Sequence, residues 1–365
     1  MRIAIFHNYM DNIGGAEKVG LTLSKEFHAD IYSTNVDQKM VKRMGFTRQT
    51  KSIGKVPIHA PWKQQCSLLR FAVFRQKKYD CYIIDGDWAM SGALRNRPCI
   101  WYVHSPIREI WDLYKYTREN TVKPHTRYLF DLWVFVNRIL NRFFVKRVDT
   151  LICNSKHVQK RIKKYLHRDA RVIHPPVPTE KFRFLESGDF WLSVNRLTPH
   201  KRIELQLEAF RELPQERLVI VGSFEQAKHF LEYKKKLESI TPDNVQIISH
   251  VNEKELQRLY GTCKGFLTTS KDEDFGMTPI EAMAAGKPVI APYEGGYKET
   301  IIHERTGILL KNISTEHIVS AIKEISKDPL KYRSACESQA KKFDTSIFIK
   351  KMDEEIQRLT RKQHS

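Results

Sequence analysis

The stretch GFLTTSKDEDFGMTPIEAMAAGKPVIAP, residues 265–292, reads as strand, loop, helix and strand. GFLTTS (265–270) is a short apolar run rich in strand formers. Thr278-Pro279-Ile280-Glu281 has the form of a capping box, with threonine at the N-cap, proline at the first helical position and glutamate three residues after the cap. Gly286 stops that helix, and PVIAP (288–292) starts the next strand. Two apolar runs joined by a helix make a parallel βαβ unit.

The same rhythm extends in both directions. Upstream in the second half lie FWLSVN (190–195), RLVIVG (217–222) and NVQIIS (244–249), and downstream lies GILL (307–310). The first half repeats it with RIAIFHN (2–8), DIYST (30–34), CYIID (81–85), IWYVH (100–104), DTLICN (149–154) and RVIHP (171–175). Helices are predicted over 16–27 and over 155–166, the latter with Ser155 as N-cap. Three prolines and a polar run break the pattern at HPPVPTEKFRFLESGDF (174–190). The chain is therefore read as α/β, two tandem doubly wound, Rossmann-like domains, 1–180 and 186–344. The helical pattern at about 345–365 is expected to pack back on the first. Ligands of open parallel sheets bind beyond the carboxyl ends of the strands, so a cleft between the domains is where chemistry is expected.

Charge is distributed unevenly. The formal net charge is +20, nearly all of it in the first 185 residues, and no Asp or Glu stands between Asp37 and Asp80. Such a field attracts nucleic acid, anionic lipid or a phosphorylated substrate, and charge alone does not choose among them. No zinc motif, helix-turn-helix or RNP pattern supports a nucleic-acid module. The six cysteines carry no CxxC pair or regular spacing, which fits reduced thiols in the cytoplasm. MRIAIFHNYMD enters a strand and reaches Asp11 too early for a signal peptide. LFDLWVFVNRILNRFFV (129–145) is interrupted by Asp131, Arg138 and Arg142 and fails as a membrane span, so membrane contact is expected to be peripheral. VPIHAPWKQQCSLLRFAVFRQKK (56–78), with no acidic residue beside Trp62, Phe71 and Phe74, is read either as a contact with an anionic membrane or as a buried core helix.

Two local patterns point to a site. Glu273 precedes a Phe-Gly in a strand-to-helix loop and caps nothing obvious, whereas Glu281 is open to both a capping and a ligand role. In SVNRLTPHKRIELQLEAF, Thr198 and Pro199 write another helix start, which puts Lys201 and Arg202 in the first turn, where the helix dipole disfavours cations. Together with Arg196 they invite an anion such as a diphosphate. Carboxylates beside a diphosphate must face its uncharged parts, which are hydroxyls. A nucleoside diphosphate sugar satisfies both requirements. NIGGAEKV adds Gly14 and Gly15 at a helix start, where the backbone can approach a ligand. Asp85-Gly86-Asp87 has the form of a metal-binding DxD, but it ends a strand of the first domain and is set aside as a coincidence.

EDFGMTPIEAMAAGKPVIAPYEGGYKETI resembles the signature of glycosyltransferase family 4, retaining enzymes of GT-B fold, whose E-x7-E motif matches Glu273 and Glu281. The resemblance extends to GGAE (14–17), YVHSP (102–106), VIHPPV (172–177), the N-R-L-x-x-x-K of 195–201 and IVGSF (220–224). Within the family, the chain looks most like mannosyltransferases of O-antigen type that use GDP-mannose. The resemblance implies that Arg196 and Lys201 hold the donor diphosphate, Glu273 the sugar hydroxyls and Glu281 the ribose. It also implies that the backbone of Phe275, Gly276 and Met277 approaches the sugar or phosphates, that Gly15 meets the diphosphate and that His104 lies near the reacting face of the sugar. No cofactor and no metal are expected. The implied acceptor is a glycan or polyprenyl-linked sugar, met in the cytoplasm or on the inner face of the cytoplasmic membrane. A UDP-sugar donor or a sugar-nucleotide epimerase of the same fold is the alternative within this architecture.

Overall fold

The computed structural model describes all residues except 12–13, 44–49, 223–227, 250 and 362–365. Ser223 and Phe224 of the IVGSF stretch therefore lie outside the described residues, as do Asn12 and Ile13 of NIGGAEKV. The chain divides into two compact units, 1–176 with 348–365, and 177–347.

The first unit is built on a seven-stranded parallel sheet: β1 (Ile3–Tyr9), β2 (Asp30–Thr34), β3 (Lys51–Ser52), β4 (Cys81–Ile84), β5 (Cys99–Val103), β6 (Thr150–Cys153) and β7 (Arg171–Val172). Their order is β3-β2-β1-β4-β5-β6-β7. The central strands read as unbroken apolar runs because helices cover both faces. All of β4 and all of β5 are buried. One face packs Phe6, Tyr82, Trp88 and Trp101 against the helices Trp62–Val73 and Arg127–Val145. The other is closed by the end of the chain. Phe348, Met352, Ile356 and Leu359 recur at helical spacing along the helix Thr345–Arg361 and pack with Ile3, Ile5, Ile31 and Ile83. Burial of such a side chain contributes about 1.5–3 kcal/mol. The helix is further fixed by an ion pair between Arg171 and Glu355. The helix at 156–166 starts where the sequence reading puts it, the Ser155 hydroxyl accepting the Val158 amide at 3.0 Å.

The second unit carries β8 (Phe190–Val194), β9 (Arg217–Val221), β10 (Val245–Ile248), β11 (Gly265–Leu267), β12 (Val289–Pro292) and β13 (Gly307–Leu310), all parallel, in the order β10-β9-β8-β11-β12-β13. Its two ends lie side by side, with Val177 bridging Asp344 and the Thr345 amide donating to the Val177 carbonyl at 3.1 Å.

Both predicted helix starts near the site are displaced. The helix over the second glutamate runs from Met277 to Ala284, with Gly276 as its N-cap at φ +88°. Thr278 is therefore already inside the helix, no side chain caps it, and there is no capping box. Pro279 still falls in the first turn, where its missing amide costs nothing. Likewise, Pro199–Lys201 form a separate 3-10 turn, Arg202 takes the left-handed conformation at φ +51°, and the α-helix begins at Ile203.

Candidate active site

In an open parallel sheet the strand order reverses at one place, and there the loops at the carboxyl ends diverge to leave a crevice. In the second unit this place lies between the neighbours β8 and β11. The loop after β8 carries Arg196 and Lys201, and the loop after β11 carries Glu273. The structure brings Lys201 and Glu273 together, with Nζ to Oε2 at 2.5 Å. Glu273 also accepts from the Ser270 hydroxyl. Burial works against its charge, but the ammonium and these hydrogen bonds prevail and hold the carboxyl down at about 2. Glu273 is thus a carboxylate at neutral pH.

The two loops are tied by their backbones as well. The Thr269 hydroxyl donates to the Lys201 carbonyl at 2.6 Å, and the Lys271 amide donates to the His200 carbonyl at 2.9 Å. Arg202 spans them with Nε on the Thr269 carbonyl at 2.6 Å, while its two terminal nitrogens grip Glu294 at 3.2 and 3.0 Å. Arg202 is therefore a brace between the loops, with its fork turned to a carboxylate. Glu294, which the sequence reading passed over, is its partner from the loop after β12. Gly295, at φ +54°, supports Glu273 from the same loop, since a Cβ there would stand 2.2 Å from the Glu273 carbonyl oxygen. The Gly296 amide donates to that oxygen at 2.8 Å.

Phe275 is buried against Phe343, with ring centroids 5.6 Å apart, so its side chain is an anchor. A Cβ at Gly276 would meet the Tyr297 ring at 2.6 Å, which explains glycine there beyond its positive φ. No side chain caps the helix that begins at Met277, and a helix N-terminus is an end suited to anionic oxygens. Glu281 is buried in that helix, and its Oε2 accepts from the Tyr260 hydroxyl at 2.7 Å. Arg196 is exposed on its loop.

The first unit has its own reversal, between β1 and β4. There a row of polar side chains runs from Glu17 through His7 and Asp85 to His104. Glu17 Oε1 lies 3.4 Å from His7 Nε2, His7 Nδ1 lies 2.9 Å from Asp85 Oδ2, and Asp85 Oδ1 lies 2.8 Å from His104 Nε2. Burial opposes a charge on His7, but its hydrogen bonds to Asp85 and Glu17 push it up to about 10. Burial also works against the charge on Asp85, and the two histidines nevertheless hold it below the usual carboxylate range. Gly20 makes the arrangement possible, because a Cβ on it would stand 2.4 Å from Asp85 Oδ2. Gly15 opens the helix Gly15–Glu26, which carries Glu17 in its first turn. Asp85, set aside from the sequence, is thus the hub of the row. Asp87 is bound separately, with the Asn8 amide and the Trp88 backbone amide donating to it. Among the described residues, no group of three or more His, Cys, Asp or Glu is placed to hold a metal ion.

Both units are similar to known proteins. A family described as glycosyl transferases group 1 matches residues 179–343, and one described as glycosyltransferase family 4 matches residues 13–181. The alpha-1,3/1,6-mannosyltransferase ALG2 of Dictyostelium discoideum is 25% identical over 400 aligned residues, covering 90% of this chain and 90% of that protein. Its Schizosaccharomyces pombe counterpart is 24% identical, covering 95% and 80%. Among solved structures, Anabaena Alr3699/HepE in complex with UDP and glucose has a TM-score of 0.77 at 17% identity, over 97% of this chain and 99% of that one. Sucrose-phosphate synthase from Thermosynechococcus elongatus has 0.75 at 18%, over 98% of each. Two Rossmann-like units of this topology make up a GT-B fold. The chain is a glycosyltransferase, matched over its first half by the family 4 description and over its second by group 1.

Proposed function

We propose that the enzyme transfers a mannosyl residue from GDP-mannose, with retention at the anomeric carbon, to a glycan or polyprenyl-linked acceptor. The observation that carries this reading is the Lys201–Glu273 pair. An ammonium and a carboxylate held in contact offer one group to a phosphate and the other to hydroxyls, the two kinds of oxygen that a nucleoside diphosphate sugar presents side by side. On departure of GDP, negative charge gathers on the diphosphate. Lys201, Arg196 and the uncapped amides at Met277 are the groups that meet it, so catalysis is electrostatic preorganisation without a covalent nucleophile. With protein cations in that role, no metal is assigned to the reaction, and turnover is expected to persist in EDTA. Activity lost to EDTA and restored by a divalent cation would refute this part.

Mannose as the transferred sugar is supported by the names of the ALG2 relatives. The neighbour solved with UDP and glucose makes UDP-glucose the competing donor. His104 and Gly15 keep, within this proposal, the roles that the family resemblance implies for them. Glu281 is given the ribose, with one of its oxygens held by Tyr260.

The test is a thermal-shift and titration screen with GDP-mannose, UDP-glucose, UDP-GlcNAc and ADP-glucose. GDP-mannose is expected to stabilise the protein most. Glu281→Gln, which retains the Tyr260 hydrogen bond, is expected to weaken donor binding by about tenfold, the loss of a charge-assisted hydrogen bond. Stabilisation by UDP-sugars alone would defeat the mannosyl assignment, and unchanged affinity in Glu281→Gln would leave that residue a purely structural role.

A further inference from the structure

The helix Arg127–Val145 is apolar on two opposite faces. Its inner face buries Val134, Asn137, Asn141, Phe144 and Val145 in the first unit. Its outer face exposes Tyr128 (68%), Leu129 (52%), Leu132 (60%), Phe135 (61%), Val136 (43%), Ile139 (55%) and Phe143 (45%). At 3.6 residues per turn these seven positions fall in an arc of about 120°. Large apolar side chains scattered singly on a surface need no explanation, but a contiguous stripe marks a surface that something covers.

The charges around the stripe indicate what covers it. Arg127, Arg138, Arg142, Lys146 and Arg147 accompany it, and the single acid of the helix, Asp131, is paired with Arg118 at 2.8 Å. Arg127, Arg138 and Arg142 donate to backbone carbonyls of Arg118, Ile110 and Tyr165, and Arg147 lies over the Phe143 ring. Carbonyls and rings leave the positive charge in place. The adjacent helix Trp62–Val73 touches this one through Gln65 and Asn137 at 2.7 Å and exposes a second row, Trp62 (66%), Leu69 (61%) and Val73 (68%). It belongs to the stretch that lacks acidic residues between Asp37 and Asp80. Among the described residues no helix is long and apolar enough to cross a membrane.

We propose that the outer face of Arg127–Val145, extended by Trp62, Leu69 and Val73, is a docking surface for an anionic lipid bilayer. The helix lies in the interface, its apolar stripe among the acyl chains and its basic residues at the headgroups. The proposal stands apart from the choice of donor, and its test uses no sugar nucleotide.

The full chain is sedimented with phosphatidylcholine vesicles with or without phosphatidylglycerol, at low and high salt. Binding is expected only with the anionic lipid, and it should weaken with salt. Leu132→Glu/Phe135→Glu/Ile139→Glu is expected to lower partitioning at least about tenfold, since three apolar contacts are lost. All three residues are exposed, so the melting temperature should hold. Phe135→Trp supplies an independent readout, a blue-shifted emission on adding anionic vesicles. Failure of the wild-type chain to bind, equal binding to uncharged vesicles, no blue shift, or full binding by the triple variant would each overturn the proposal. So would a dimer in solution that the triple variant dissociates, because the stripe would then be covered by a second copy.

Discussion

Lys201→Met is expected to reduce kcat/KM for sugar transfer by about 10²–10³, the loss seen when one preorganised donor to developing charge is removed. The change acts twice. It takes a cation from the departing diphosphate, and it strips Glu273 of the partner that holds its carboxyl at about 2. The carboxyl then moves up toward its ordinary range, and the group assigned to the sugar hydroxyls loses both charge and position. Glu273→Gln should reproduce much of the loss, and the double variant should be clearly less impaired than the sum of the two. A double-mutant cycle on kcat/KM measures this directly. Strictly additive losses would mean that the contact at 2.5 Å is incidental to turnover.

Asp85→Ala is expected to cost about 3–5 kcal/mol of stability, as removal of one member of a buried ion pair does when the other stays buried. Urea unfolding read from the first unit checks it. The pH dependence follows from the direction of each shift. His7 is raised to about 10 from an ordinary value near 6.5, so its contribution is complete below about pH 6.5 and is lost as pH rises through 10. Asp85 and Glu17 are lowered, so theirs is present above their ordinary values near 4 and lost as pH falls below them. The groups facing His7 are Asp85 and Glu17, and His104 faces Asp85 from β5's end. The melting temperature of the wild-type chain should therefore fall between pH 7 and 10 more steeply than that of Asp85→Ala. Parallel curves would show that His7 is neutral in the folded protein.

The strands were legible because parallel strands with both faces covered must be apolar runs. Ten of the thirteen can be read to within two residues on that ground, and GFLTTS overshoots β11 by three. RVIHP shrinks to β7 at Arg171–Val172, where two prolines follow, and β3 at Lys51–Ser52 has too few residues to carry a pattern. Helix starts were less legible. Thr278-Pro279 and Thr198-Pro199 both carry capping chemistry, but backbone at positive φ, Gly276 in one case and Arg202 in the other, decides where each helix begins. At the site, Glu273 and Lys201 stand out because each offends a local rule, an acid with nothing to cap and a cation at a positive dipole. Their contact joins loops 72 residues apart and has no signature in sequence. Asp85 was hidden by a misleading motif, since its partners His7 and His104 come from two other strand ends. Lys287 in the AAGKPV run is the reverse case, a charged residue in a signature that proves to be buried. Its ammonium donates to the Glu186 carbonyl over the Phe184 ring, and burial pulls it down to about 8. The two-faced helix Arg127–Val145 shows the limit of periodicity, because an apolar residue facing outward and one facing inward read alike.

The return of the helix Thr345–Arg361 to the first sheet has a consequence for how the protein is made. Phe348, Met352, Ile356 and Leu359 belong to the same core as Ile3 and Ile5, so strands made before the second unit wait for a helix made after it. The second unit, continuous from 177 to 347, is complete earlier in synthesis. It is thus the nested insert that can form first, while an apolar face of the seven-stranded sheet stays open until Phe348 and its helix have been made. A chain cut short at Phe348 would leave the second unit formed and one face of the seven-stranded sheet uncovered.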